Sequence, residues 1–183
     1  MELVGFKILW VNRWMTIPSH IYIIYGSTEG HSEKVAHTLH DKLPISSSHK
    51  SLLNLNDFRL SECQDTEARL IFLISTTGDG EFPENAVLGW KRLREFSRNM
   101  SSKISQIEYR VCGFGDSNYR NFCHSSKCLY RLLQRVFVNQ GDLTLIDDAI
   151  DDDTKINQWI TSIVSWIKQL EYNRRWSWIT RFI

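Results

Sequence analysis

Short, unbroken apolar runs alternate along this chain with stretches whose apolar residues recur every three or four positions. Residues 21–25 (IYIIY) and 70–74 (LIFLI) are the clearest runs; 109–114 (YRVCGF) and 143–146 (LTLI) read as two more strands, and 51–55 (SLLNL) as a weaker one. Between and after them, Val35, Leu39 and Leu43 have helical spacing, as do Ala86, Trp90 and Leu93 within residues 85–98. Leu129, Leu132, Leu133, Val136 and Phe137 stripe another helix, and Ile160, Ile163, Val164, Ile167 and Leu170 a last one. A strand without polar alternation needs apolar cover on both faces. Strands of this kind separated by helices predict an α/β fold: a three-layer, doubly wound, parallel five-stranded sheet.

A chain of 183 residues suits one domain, and we expect it over residues 19–170. Residues 1–18 are read as an appendage of unknown role. Glu2 and Lys7 interrupt the apolar stretch that a secretory signal requires, and a mitochondrial-type presequence would lack the acid and carry more serine and arginine. Residues 171–183 (EYNRRWSWITRFI) are read as a basic, aromatic tail or linker stub. Lys+Arg 22 against Asp+Glu 21 leaves a net charge of +1, so no global field recruits nucleic acid or an anionic membrane. No apolar run reaches the roughly 18 residues of a membrane span, so stable membrane insertion is not expected. Cys63, Cys112, Cys123 and Cys128 form no C-x-x-C pair and the histidines have no ligand spacing, so no metal site is expected. Reduced thiols fit a cytoplasmic location, with organellar targeting by residues 1–18 left open.

In an open parallel sheet, ligands bind beyond the carboxyl ends of the strands, where the strand order reverses. After the first strand stands GSTEGHSE (26–33), leading into a helix. Backbone N–H groups and small hydroxyls at a helix start can wrap a phosphate. The segment matches neither the P-loop NTPase nor the G-x-G-x-x-G pattern, and read alone it also fits an ordinary helix cap supplied by Ser32. After the third strand stands STTGDGEFPEN (75–85), whose glycines allow close backbone approach to a flat ligand while Thr76 and Thr77 offer hydrogen bonds to its edge. After the fourth stands GFGDSNYRNF (113–122), a turn that projects Tyr119, a ring able to stack on another or to pack on its own chain. Together the three loops describe a site for a phosphorylated planar cofactor.

From about Ile21 to Leu170 the chain resembles the flavodoxin-like FMN-binding domains, most of all those of the diflavin reductases and their short single-domain relatives. STEGHS (27–32) is similar to the family's phosphate loop, and segments 75–85 and 113–123 resemble its two isoalloxazine loops. Asp151, Asp152 and Asp153, followed by Trp159, resemble the acidic stretch and the tryptophan-bearing last helix of diflavin FMN domains. The resemblance implies the strand order 2-1-3-4-5 and FMN as cofactor. It implies a site formed by Ser27, Thr28, Glu29, Gly30, His31, Ser32, Thr76, Thr77, Gly78, Asp79, Gly80, Gly115, Asp116, Ser117, Asn118, Tyr119, Phe122 and Asp148. Two departures stand out. Glu29 occupies a position where many relatives place a phosphate-binding threonine, and we expect its carboxylate to point outward, since facing a phosphate would cost about 1 kcal/mol at 4 Å even in water. Thr77 replaces an aromatic residue of the P450-reductase-like branch, which leaves Tyr119 as the main stacking ring, with Phe82 a second candidate.

Glu29, Asp79, Glu81, Glu84, Asp116, Asp147, Asp148 and Asp151 to Asp153 fall in or beside these loops, with Arg120 the sole Lys or Arg inside them. Such a rim is either a solvated set of loop acids or a surface that steers basic partners. No nucleophile–base pair is visible, so the chemistry belongs to the cofactor. The resemblance implies single-electron relay from a reductase to an acceptor, the donor being either a separate FAD/NADPH-type reductase or a further part of a longer diflavin protein. The acidic rim points to a basic-faced redox protein as the acceptor. The alternatives are an FMN-dependent NAD(P)H:quinone-type oxidoreductase and a docking module that keeps the fold without the flavin.

Overall fold

The computed structural model describes residues 20–150 and 153–179, with side chains to 169. Residues 1–18, the side chains of Leu170 and the basic tail, and Asp151 and Asp152 of the acidic stretch lie outside that description.

Five parallel strands form one sheet in the order β2-β1-β3-β4-β5. They are β1 (His20–Gly26), β2 (Lys50–Asn54), β3 (Ala68–Ser75), β4 (Ile107–Gly115) and β5 (Asp142–Asp147). The helices are α1 (His31–Lys42), α2 (Glu84–Asn99), α3 (His124–Val136) and α4 (Asp153–Ile179). The boundary expected after residue 170 therefore falls inside α4, whose backbone continues to Ile179.

The unbroken apolar run of β3 has a direct structural cause. Leu70, Phe72 and Ile74 pack into one core layer and Ile71 and Leu73 into the other, all at 0% exposure. The first layer takes Leu93 of α2 and Leu129 and Leu133 of α3; the second takes Leu39 of α1 and Ile160 and Ile163 of α4. Each such side chain contributes about 2 kcal/mol of burial. The edge strand β2 is only half-buried throughout, which explains its weak sequence signal. α1 stops before Pro44, and Leu43 takes the extended conformation that a following proline favours.

All four cysteines are free. Burial pushes the Cys63 and Cys123 thiols up to about 12 and Cys112 well above its ordinary value. These thiols ionise in the unfolded chain before they do in the folded one. The unfolded state then holds fewer protons, so stability falls as pH rises from about 9 towards 12, by about 1.4 kcal/mol per pH unit for each thiol. At pH 8 iodoacetamide is expected to add one group, at the half-buried Cys128. Four adducts on the folded chain would contradict the packing.

Candidate functional site

The loops after β1, β3, β4 and β5 enclose a cleft of about 380 Å³ at the carboxyl edge of the sheet. That volume lies within the range of small-molecule sites. In the order β2-β1-β3, the connections from β1 and β3 leave on opposite sides, so the cleft opens where the winding reverses.

Four sets of contacts link the loops around it. The Ser27 N–H donates to Asn85 Oδ1 (2.9 Å), and the Ser75 hydroxyl to that of Ser32 (2.9 Å), joining the β1 and β3 loops. Asn121 Nδ2 donates to the carbonyl and carboxylate of Asp79 (2.9 and 2.8 Å), joining β3 to β4. The Ser117 N–H donates to Asp147 Oδ1 (3.0 Å), joining β4 to β5. His31 Nδ1 meets Asp148 Oδ1 at 3.0 Å and returns the chain of contacts to the first loop. A cleft already braced this way needs little reordering to take a ligand.

The first loop folds on itself before α1 begins. The Gly30 N–H donates to Ser27 Oγ (2.9 Å), and Gly30 adopts φ 87, in the left-handed region. No side chain caps the helix. The first-turn N–H groups of α1 are therefore available to an anion at the wall formed by Ser27, Thr28, Glu29 and His31. Ser32 does not supply the cap: its hydroxyl is buried and donates to the Gly26 carbonyl (2.8 Å).

Twelve of the residues named from sequence line the cleft: Ser27, Thr28, Glu29, His31, Thr76, Thr77, Gly78, Gly115, Asp116, Tyr119, Phe122 and Asp148. Gly30, Ser32, Asp79, Gly80, Ser117 and Asn118 belong to the same loops but are not among the residues that line it; Asp116 accepts from the Asn118 N–H (2.7 Å), for example. Ser75, Asn121 and Cys123 also line it, and Asn85 braces it. These four sit inside the segments recognised from sequence, but their roles depend on partners distant along the chain. Glu29 is exposed and is one of the residues that line the cleft. Thr76 Oγ1 accepts from the Ser125 N–H (3.1 Å), which occupies part of its capacity. Phe82 stacks on Trp90 at 4.6 Å and is absent from the cleft wall, so it does not replace the aromatic missing at Thr77.

Electrostatically the mouth is acidic. Burial raises the Asp148 carboxyl above its usual range despite the favourable His31 partner, and Asp147 and Asp116 add to the rise. Hydrogen bonds from Ser117 hold Asp147 below that range. Among the described residues no cluster of metal-ligating side chains occurs, and no helix is long and apolar enough to cross a membrane.

A doubly wound sheet with a braced, polar cleft at its switch point defines a nucleotide- or flavin-binding α/β domain. The flavodoxin family profile matches residues 23–159, and the chain belongs to that family, an FMN-binding family of electron-transport flavoproteins. The sulfite reductase (NADPH) flavoprotein alpha-component of Neisseria meningitidis serogroup B is 28% identical over 152 residues, 83% of this chain and 24% of that protein. The pyruvate dehydrogenase (NADP+) of Cryptosporidium parvum is 28% identical over 161 residues, 86% of this chain but 8% of that protein. This chain thus spans a quarter or less of the curated relatives it matches. A flavodoxin from Pseudomonas aeruginosa, solved as a cysteine-to-alanine mutant, shares the fold with a TM-score of 0.62 at 22% identity, covering 81% of this chain and 99% of that one.

Proposed function

We propose that this chain holds FMN in the cleft and relays single electrons from a separate FAD/NADPH-type reductase to a basic-faced acceptor protein in the cytoplasm. The observation that carries the reading is the braced set of strand-end loops, which joins an uncapped helix start to an exposed tyrosine. The first-turn N–H groups of α1, with the Ser27 and Thr28 hydroxyls, would hold the phosphate. Backbone groups of residues 76–78 and Gly115 would meet the edge of the ring system. Tyr119, with 66% of its surface exposed, offers a face for a planar ligand to cover.

Bound FMN supplies the electron exchange; the chain positions the ring and sets its potential. Asp116, Asp147 and Asp148 oppose added negative charge in the cleft and so lower that potential. The acidic mouth also favours short-lived encounters with basic proteins over binding of anionic NADPH, which sets the carrier reading above the quinone-reductase one.

The purified chain is expected to take up one equivalent of FMN and quench its fluorescence. The reduced complex should then pass electrons to a basic haem protein about ten-fold more slowly at 0.3 M salt than at 0.01 M. A chain that ignores FMN would defeat the reading and favour the docking module. Salt-independent transfer would defeat the steering role, and direct NADPH oxidation would favour the oxidoreductase.

A further inference from the structure

His31 is the sole side chain between Gly26 and Glu33 that can carry positive charge. It is the first residue of α1 and lines the cleft beside Ser27, Thr28 and Glu29. Two contacts fix its ring: Nδ1 lies 3.0 Å from Asp148 Oδ1, and the ring meets Phe114 edge-on with centroids 5.2 Å apart. No hydrogen bond occupies Nε2 among the described residues.

A carboxylate only accepts hydrogen bonds, so the contact with Asp148 keeps a proton on Nδ1. The neutral imidazole then presents a lone pair at Nε2. A phosphate dianion also only accepts, so neutral His31 and the dianion form no hydrogen bond. One further proton, on Nε2 or on a phosphate oxygen, creates the bond. Both groups ordinarily titrate near neutral pH, at about 6.5 for imidazole and about 6 for the second phosphate ionisation.

Resting on the FMN reading above, we propose that His31, oriented by Asp148, is a proton-dependent anchor for the FMN phosphate, so that the chain grips FMN more tightly as pH falls through neutrality. Charged groups of both signs stand around the ring. Glu29 precedes it in the loop, Asp147 ends β5 and Asp148 follows it, and Asp116 follows β4; Lys155 of α4, which acts on Asp147, carries the opposite charge. Asp148 is a positioning residue in this scheme.

The test measures FMN and riboflavin affinity by flavin fluorescence from about pH 6 to 8.5, for the full chain and for His31→Gln and Asp148→Asn. FMN affinity of the unaltered chain should fall nearly ten-fold per pH unit above neutrality, the signature of one proton taken up on binding. His31→Gln should bind FMN about ten-fold more weakly near pH 6, with a slope lower by about one proton above neutrality. Asp148→Asn should move the profile to lower pH, and riboflavin should show no such slope for any form. Matching FMN profiles for the unaltered chain and His31→Gln, or matching FMN and riboflavin profiles, would overturn the anchor. A profile unchanged in Asp148→Asn would overturn the orienting role. A chain that binds neither flavin at any pH would overturn the FMN reading itself, a different failure.

Discussion

Gly89→Ala is expected to destabilise the fold by about 3 kcal/mol or more, at the upper end of overpacking costs. This reverses the gain of about 1 kcal/mol that alanine brings over glycine in an open helix. A Cβ at Gly89 would lie 2.5 Å from the Leu55 carbonyl carbon and 2.7 Å from its Cγ, well inside the roughly 3.5 Å of ordinary contact. Leu55 cannot give way easily, because its side chain is fully buried and its N–H donates to the Tyr25 carbonyl (2.8 Å). The next residue is held just as firmly. The Asn56 N–H donates to the Asn85 carbonyl (3.0 Å) and its side-chain amide to the Glu84 carbonyl (2.8 Å). Asn56 Oδ1 accepts from the Gly89 N–H (3.0 Å), while Arg92 and Arg59 donate to the Asn56 carbonyl. The clash would therefore displace α2, and with it the Asn85 amide that fixes Ser27 in the first loop. Urea midpoint and FMN affinity should fall together. Leu88→Ala, at a neighbouring position that is 56% exposed, should stay within about 0.5 kcal/mol. Equal stability of the two variants would mean that α2 does not approach the end of β2 this closely.

Close approaches of this kind mark where the sequence stops being legible. Burial on both faces writes itself as an apolar run, so β3 is evident in residues 70–74, whereas the edge strand β2 mixes Lys50, Ser51 and Asn54 with two leucines. α3 begins five residues before its first buried apolar side chain, Leu129. Its first turn is buried through Ser125 and Ser126, which apolar spacing does not register. A Cβ at Gly113 would collide with the Ser126 hydroxyl, so glycine and serine are matched across 13 positions. The same limit applies to the cleft. Its loops are legible because glycine, Asp and Asn cluster locally at strand ends. Their bracing is not, since Asn85 reaches Ser27 across 58 positions and Asn121 reaches Asp79 across 42. Ser32 shows the converse error: it has the spacing of a cap, but its hydroxyl turns inward to Gly26.

Tyr119→Ala should weaken FMN and riboflavin alike by about thirty-fold, or about 2 kcal/mol, through loss of stacking and the apolar area that goes with it. The effect should be large because the cleft has few other faces to offer. Thr77 brings no ring from the opposite loop, and Phe82 is committed to Trp90. Phe122 does line the cleft, but it is half-buried with the Lys127 ammonium 5.1 Å from its ring centroid. Tyr119 follows the turn closed by its own N–H to the Asp116 carbonyl (3.1 Å), and that turn is tied to β5 through Ser117 and Asp147. Its backbone is therefore placed before any ligand arrives, although most of the ring is exposed. Tyr119→Phe should keep nearly the whole affinity, because the face and not the hydroxyl makes the contact. The comparison with riboflavin separates this residue from His31, whose replacement should weaken the phosphorylated flavin alone. If Tyr119→Ala lost FMN but kept riboflavin, or if Tyr119→Phe failed as badly as alanine, the ring would not be lying against the flavin.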